Sequence, residues 1–217
     1  MERIANGIWK ISRGTPENHT PVKLRESSIK LSELDRLACA GTAPFTVQEI
    51  VIKPTARGMQ IELPLKAYEY IYGFGLQLHR TDHTGRKKVI RVNSDPVADT
   101  GDSHAPVPFY VSTAGYGVYV DTLRYATFYC GTNLSKGASE YKKHENKALG
   151  TSEIELYGYQ ATEGDRSVVV DIPAAQGIEL YLFEGPDMVK AVQRYNLFSG
   201  GGPPSSDVGP RHLVPGV

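Results

Sequence analysis

The chain has 217 residues, and 24 lysines and arginines balance 24 aspartates and glutamates, for a formal net charge of zero. That length suits one large domain or two small ones and can bury a good-sized core. Balanced charge argues against nucleic acid as a partner, because displacing counterions from phosphates needs a basic face.

The opening stretch, MERIANGIWKISRGTPE, has no long apolar run. It reads as neither signal peptide nor membrane anchor, so no membrane partner and a cytoplasmic location are expected. Short runs rich in Val, Ile, Tyr and Thr then alternate with Gly, Pro, Asn and Asp, at 45–52, 58–65, 87–93, 107–113, 115–122, 125–131, 152–159, 167–172 and 177–185. This spacing predicts an all-β sandwich or barrel. QIELPL (60–65) and YGVYVDT (116–122) alternate apolar and polar residues, as strands with one buried and one wet face do. STAGYG (112–117) predicts a tight turn in which Gly115 and Gly117 can take positive φ.

Helical period appears only late. Met188, Val189, Val192, Tyr195 and Leu197 or Phe198 recur three and four apart, with Asp187 as N-cap or first-turn acid and Gly200 as the stop. A lone helix after many strands fits either a strap to another domain or a helix packed on its own sandwich. Cys39 and Cys130 are the only cysteines. A domain this large needs no staple, so two reduced thiols are expected.

Motifs that would announce chemistry are sparse. YGFGLQLH (72–79) sets Gly73 and Gly75 around Phe74 but lacks the third glycine and the helix of a dinucleotide fingerprint. A bulge or a close strand approach accounts for it. His79 and His83 stand four apart within a turn, and Asp95, Asp99 and Asp102 have the wrong spacing for a calcium loop. Neither a Ser/His/Asp order nor a phosphate loop nor a CxxC pair occurs, so no cofactor and no metal are expected. Asp95 is the acid of most interest, because Pro96 stiffens the backbone beside it. A stiff carboxylate at a loop entrance can accept two sugar hydroxyls at once, or it can cap its own loop as an Asx-turn.

Several stretches together resemble one family. They are YGFGLQ (72–77), RVNSDP (91–96), VPFYVSTAGYGVYVDT (107–122), ATFYCG (126–131) and LYLFEGPDMVKAVQRYNLFSGGGP (180–203). In this order they are similar to the amino-terminal β domain of glycoside hydrolase family 31, which contains α-glucosidases and α-xylosidases. The resemblance implies a galactose-mutarotase-like β-supersandwich with one C-terminal helix. Residues 1–185 would form the sandwich, 186–200 a helix leading into a catalytic (β/α)₈ barrel, and 201–217 an aberrant, disordered tail. The family's nucleophile and acid/base are aspartates of the barrel, about 5 Å apart in retaining glycosidases, so no catalytic residue is expected in this chain. A loop of the β domain reaches the substrate entrance, where an N-x-D aspartate contacts sugar. Asn93-Ser94-Asp95 falls on that position, which makes Asp95 the one binding residue carried over, and an α-linked carbohydrate the expected partner.

After SGGGPP the family continues into the first barrel strand, whereas here SSDVGPRHLVPGV follows. Codons able to encode 208–215, read one base later, can spell Trp-Gly-Leu-Gly-Ile-Trp-Tyr-Arg, a sequence suited to that strand. The expectation is a truncated or frameshifted domain without glycosidase activity. Two rival readings stand beside it. One is a free-standing carbohydrate-binding module using Asp95 with Tyr72, Phe74, Tyr110 and Tyr116, whose other reading is core and hairpin packing. The other is a mutarotase-type epimerase, which would draw on His79 or His104, although no His/Glu pattern of that kind is found. A face left bare around 186–198, with Met188, Val192 and Phe198 exposed, would favour self-association.

Overall fold

The computed structural model describes residues 1–24, 31–94, 101–134 and 166–200. The run at 152–159, the stretch after Gly200, and Asp95 and Asp99 lie outside the described residues. The strands in chain order are β1 (Glu2–Ala5), β2 (Ile8–Gly14), β3 (Val51–Thr55), β4 (Gly58–Leu65), β5 (Ile71–Leu76), β6 (Arg86–Val89), β7 (Ala105–Ser112), β8 (Tyr116–Val120), β9 (Thr127–Leu134), β10 (Arg166–Pro173) and β11 (Gly177–Glu184). Single helical turns α1 (Pro21–Leu24) and α2 (Leu31–Leu34) precede β3, and helix α3 (Met188–Phe198) follows β11.

These strands form two antiparallel sheets, a six-stranded one ordered β1-β2-β11-β8-β7-β5 and a five-stranded one ordered β3-β4-β10-β9-β6. The fold is the expected all-β sandwich. Alternation supplies its core: Met59, Ile61, Leu63 and Leu65 of β4 turn inward beside Val168, Val170 and Ile172 of β10, facing Val118, Val120, Leu180 and Leu182 of the other sheet. Each fully buried aliphatic side chain of this kind contributes about 1.5–3 kcal/mol. The N-terminal stretch finds its place as the β1–β2 hairpin, with β2 paired along β11.

β11 is buried on both faces. Its Leu180 and Leu182 enter the main core, while Tyr181 and Phe183 point the other way into a second apolar layer with Ile8, Phe109, Val111, Tyr119, Leu34, Ala191 and Phe198. Helix α3 is therefore packed on its own sandwich, with the Tyr195 ring stacked on Phe109 at 3.9 Å and Phe198 edge-on to Phe183 at 5.3 Å. Asp187 caps it, accepting from Lys190 N at 2.8 Å, an arrangement worth about 1 kcal/mol.

Two sequence expectations are corrected here. Phe198, expected on a bare face, is buried, because the helix turns it down onto Tyr181 and Phe183. Residues 45–52 are not one strand. Glu49 accepts from both Thr46 N (2.7 Å) and Thr46 Oγ1 (2.8 Å), which winds Val47–Glu49 into a 3-10 turn and delays β3 to Val51.

The YGFG stretch is a bulge, as its glycines predicted. Gly73, Phe74 and Gly75 all take positive φ (122°, 62° and 80°), and the β5–β7 register shifts between Gly73 and Gly75. The left-handed Phe74 costs on the order of 1–3 kcal/mol of backbone strain. The shift turns its ring into the core against Phe128 (5.1 Å), His83 (5.4 Å) and Tyr110 (5.9 Å), which offsets that cost.

Candidate functional site

The loop expected to meet sugar leaves the sandwich after β6 and returns into β7. Its described part is the neck. Val89 N donates to Gly101 O at 2.8 Å and Asn93 N to Ser103 O at 2.9 Å, and Val92 and Ser103 form a parallel bridge. Gly101 takes φ +96°, and a Cβ there would meet Lys87 O at 2.7 Å, so the crossing needs glycine. The spacing of Asp102 ruled out a calcium loop and assigned it no other role. Instead its buried carboxylate clamps the neck, accepting from Arg91 Nη2 at 2.6 Å and from Asn93 Nδ2 at 3.5 Å. Asn93 of the N-x-D motif thus holds the loop base two residues before Asp95. A charge-assisted bond to a buried acid is among the stronger polar contacts available to a loop.

The remaining buried carboxylates sit on the six-stranded sheet or at its ends. A cleft of about 300 Å³ below the β7–β8 turn is lined by Phe45, Lys66, Glu69, Tyr116 and Glu184. Glu69 accepts from Ser112 Oγ (2.8 Å), Tyr116 Oη (2.6 Å) and Lys66 N (3.4 Å). Burial and the neighbouring Glu69 push the Tyr116 hydroxyl well above the ordinary phenol range. Glu184 accepts from Ala40 N, from Gly41 N at 3.3 Å and from the Cys39 thiol at 2.7 Å. Burial and that carboxylate raise the Cys39 thiol. On the outer face of the sheet, Glu179 is held by the Tyr181 hydroxyl, Lys10 and Lys23. Asp121 accepts from Thr20 Oγ1 (2.6 Å), Tyr119 Oη (3.1 Å) and Val22 N (3.3 Å), and burial moves its pKa up.

Each of these acids is engaged by two or three donors of its own chain. That is how a fold makes a buried charge tolerable, and it leaves little freedom for proton transfer. No histidine lines the Glu69–Glu184 cleft. His104 is exposed, and His83 lies buried against Phe74. Among the described residues no group of three or more His, Cys, Asp or Glu could hold a metal ion, and no helix is long and apolar enough to cross a membrane. Both cysteines are free thiols, with Cys130 pushed up to about 12 by burial.

The aromatics weighed for a binding platform are mostly core. Phe74, Tyr110 and Tyr116 are buried, so they offer no sugar-stacking face, and Tyr72 is half-buried. The motif glycines are structural as well. Gly115 in the β7–β8 turn takes φ +86°, and a Cβ on it would meet Gly185 O at 2.6 Å. A Cβ on Gly185 would in turn meet Ala191 N at 2.6 Å. The GYG turn, the FEGP corner and α3 are thus locked against one another. Gly117 needs no positive φ; its bareness admits the Phe109 ring, 2.8 Å from where a Cβ would stand.

Sequence reasoning missed Asp102 as a clamp, Glu69 and Glu184 as turn anchors, and Arg194, which is buried and donates to three carbonyls. Only the helical phase of Arg194, on the Ala191–Phe198 side of α3, could have betrayed it.

No model of a known protein family matches the chain, and no curated protein does. Among solved structures, a glycoside hydrolase family 31 dextranase of Flavobacterium johnsoniae, complexed with isomaltotriose, is 16% identical, with 70% of this chain and 15% of that one covered and a TM-score of 0.45. For the cycloalternan-forming enzyme of Listeria monocytogenes the values are 20% identity, 72% and 13% coverage, and 0.47. For a xylosidase of Aspergillus niger they are 14%, 72% and 17%, and 0.42. The chain spans less than a fifth of the length of each of these three proteins. Likenesses this distant assign no chemistry to it.

Proposed function

We propose that this domain is the non-catalytic β domain of a family 31 α-glycoside hydrolase, which acts beside a catalytic barrel and lends it the loop after β6 as part of the substrate rim. The observation that carries the reading is where the family-like stretches fall. Three of the five, 72–77, 107–122 and 180–203, supply β5, β7, β8 and β11, adjacent in the sheet order β11-β8-β7-β5, with α3 seated on them and the Gly115–Gly185 contact joining turn to corner, while 126–131 falls in β9 of the other sheet and 91–96 begins after β6. Three motifs far apart in the chain thus meet in one interlocked block, as a shared architecture requires. The saturated carboxylates agree with a supporting role. Asp95 remains the residue proposed to contact sugar, at the end of a neck stiffened by Arg91, Asn93 and Asp102.

The test is a hydrolysis assay of the purified chain on nitrophenyl α-glucoside, α-xyloside and α-galactoside. The expected result is no turnover above background, and steady turnover would overturn the non-catalytic role. Fused to a family 31 barrel in place of that enzyme's own β domain, the chain should sustain hydrolysis, with Asp95→Ala raising KM more than it lowers kcat. A fusion unaffected by that change would remove Asp95 from the rim.

A further inference from the structure

We propose that the outer face of the five-stranded sheet carries a carbohydrate-binding site of its own, separate from the loop after β6. The alternation of β9 and the residues leading into it sends Ala126, Phe128 and Cys130 into the core. It therefore places Tyr125, Thr127 and Tyr129 together on the opposite face. Tyr125 is 66% exposed and Tyr129 half-buried. In the neighbouring strands, Asp171 of β10 registers against Thr127 on one side and Gln60 of β4 on the other, so the three side chains stand in one row across the sheet. These residues, with Thr55, Arg57 and Pro173, line an open cavity of about 470 Å³.

The chemistry of the lining selects the ligand. Two tyrosines supply apolar ring faces, against which the C–H face of a sugar packs. Gln60 Nε2 donates to Asp171 Oδ1 at 2.7 Å, which fixes the carboxylate in place. Among the described residues Asp171 Oδ2, the Arg57 guanidinium and the Tyr125 and Tyr129 hydroxyls have no partner of their own chain. That leaves an acceptor for paired hydroxyls on strand β10 beside a forked donor in the tight β3–β4 turn. One acid and one arginine make the cavity close to neutral, which suits a hydroxyl-rich ligand better than an anionic one, and the polar row along the floor does not suit an apolar helix. The site stands on this geometry alone; the choice of an α-linked sugar as its ligand rests on the glycosidase reading above.

Titration of the isotopically labelled chain with maltotriose and, separately, isomaltotriose, followed by amide NMR shifts and by calorimetry, tests the proposal. Expected is binding in the millimolar range or tighter, with shifts concentrated at residues 55–60, 125–129 and 171–173. Tyr125→Ala, at an exposed position that the fold does not need, should weaken binding at least tenfold, and Asp171→Ala should do the same with the fold intact by circular dichroism. No binding of either trisaccharide overturns the proposal, as does binding whose shifts lie elsewhere or which neither variant weakens. The hydrolysis assay answers separately: turnover by the chain would refute the non-catalytic reading and leave this site standing, and an empty titration would remove this site and leave that reading standing.

Discussion

Arg194 is the residue whose loss should cost most. Its side chain is fully buried under α3. Nε donates to Asn6 O at 3.0 Å, Nη2 to Ala38 O at 2.8 Å, and Nη1 to Glu184 O. One guanidinium thus ties the helix to the β1–β2 turn, to the segment after α2 and to the end of β11. Burial lowers its pKa, while the nearby Glu184 and Cys39 favour its charged form. Gly7, at φ +69°, sits so close to the guanidinium that a Cβ would collide with it. Hydrogen bonds from a charged donor contribute about 1.5–3 kcal/mol each, and a buried carbonyl stripped of its partner costs about 1–3 kcal/mol. These terms overlap and do not add in full, so Arg194→Met, which keeps most of the packing, should cost about 3–5 kcal/mol. With a urea m-value of about 3 kcal/mol/M, the unfolding midpoint should fall by roughly 1–1.7 M. Arg194→Lys should recover only part of this, because an ammonium cannot span three carbonyls held in a planar fork. A methionine variant within about 1 kcal/mol of the wild type would refute the reasoning, since it would mean that the three carbonyls need no donor.

Gly115→Ala combines a left-handed backbone with a clash against Gly185 O. It should cost about 2–3 kcal/mol and lower Tm by roughly 5–10 °C in a scanning calorimeter, and a near-unchanged Tm would remove the turn–corner lock. The raised pKa of buried Asp121 has a definite sign: the group stabilises the fold fully below its ordinary unfolded value, and the contribution is lost as pH rises through the raised folded value. Asp121→Asn, neutral throughout and able to face Thr20 Oγ1 with its amide, should therefore gain stability relative to the wild type as pH rises from about 4 to 7; urea midpoints across that range check it, and a pH-independent difference would contradict it. Met188, Val189 and Val192 of α3 form with Tyr72 and Val111 a shallow apolar groove, and Val189 is 62% exposed. Self-association through that groove should appear in light scattering as a mass that rises with concentration, and Val189→Glu should abolish it; a wild type that stays monomeric when concentrated would exclude it.

Sequence alone determined the elements whose signals are local. The alternation in QIELPL fixed the inward side of β4, the two glycines of YGFG predicted a bulge, and Asp187 and Gly200 bracketed α3. Each depends on nearest neighbours: the pleat alternates every residue, glycine alone tolerates positive φ cheaply, and a cap reaches three residues along. Even the missed 3-10 turn at 47–49 was written locally, as the Thr46–Glu49 capping box. Tertiary structure decided everything that hangs on contacts across long stretches of chain. That α3 packs on its own sandwich turned on Phe109, Phe183 and Phe198 meeting over the six-stranded sheet. Asp102, eleven residues from Arg91, became a clamp only when the loop closed its neck. Glu69 and Glu184 became anchors only when Ser112 and Ala40 arrived beside them. The aromatic pattern could not say which rings faced water, because period two gives two faces and not which one the second sheet covers. Folding hid Phe74, Tyr110 and Tyr116 in the core and left Tyr125 exposed and Tyr129 half-buried on the side of β9 away from it.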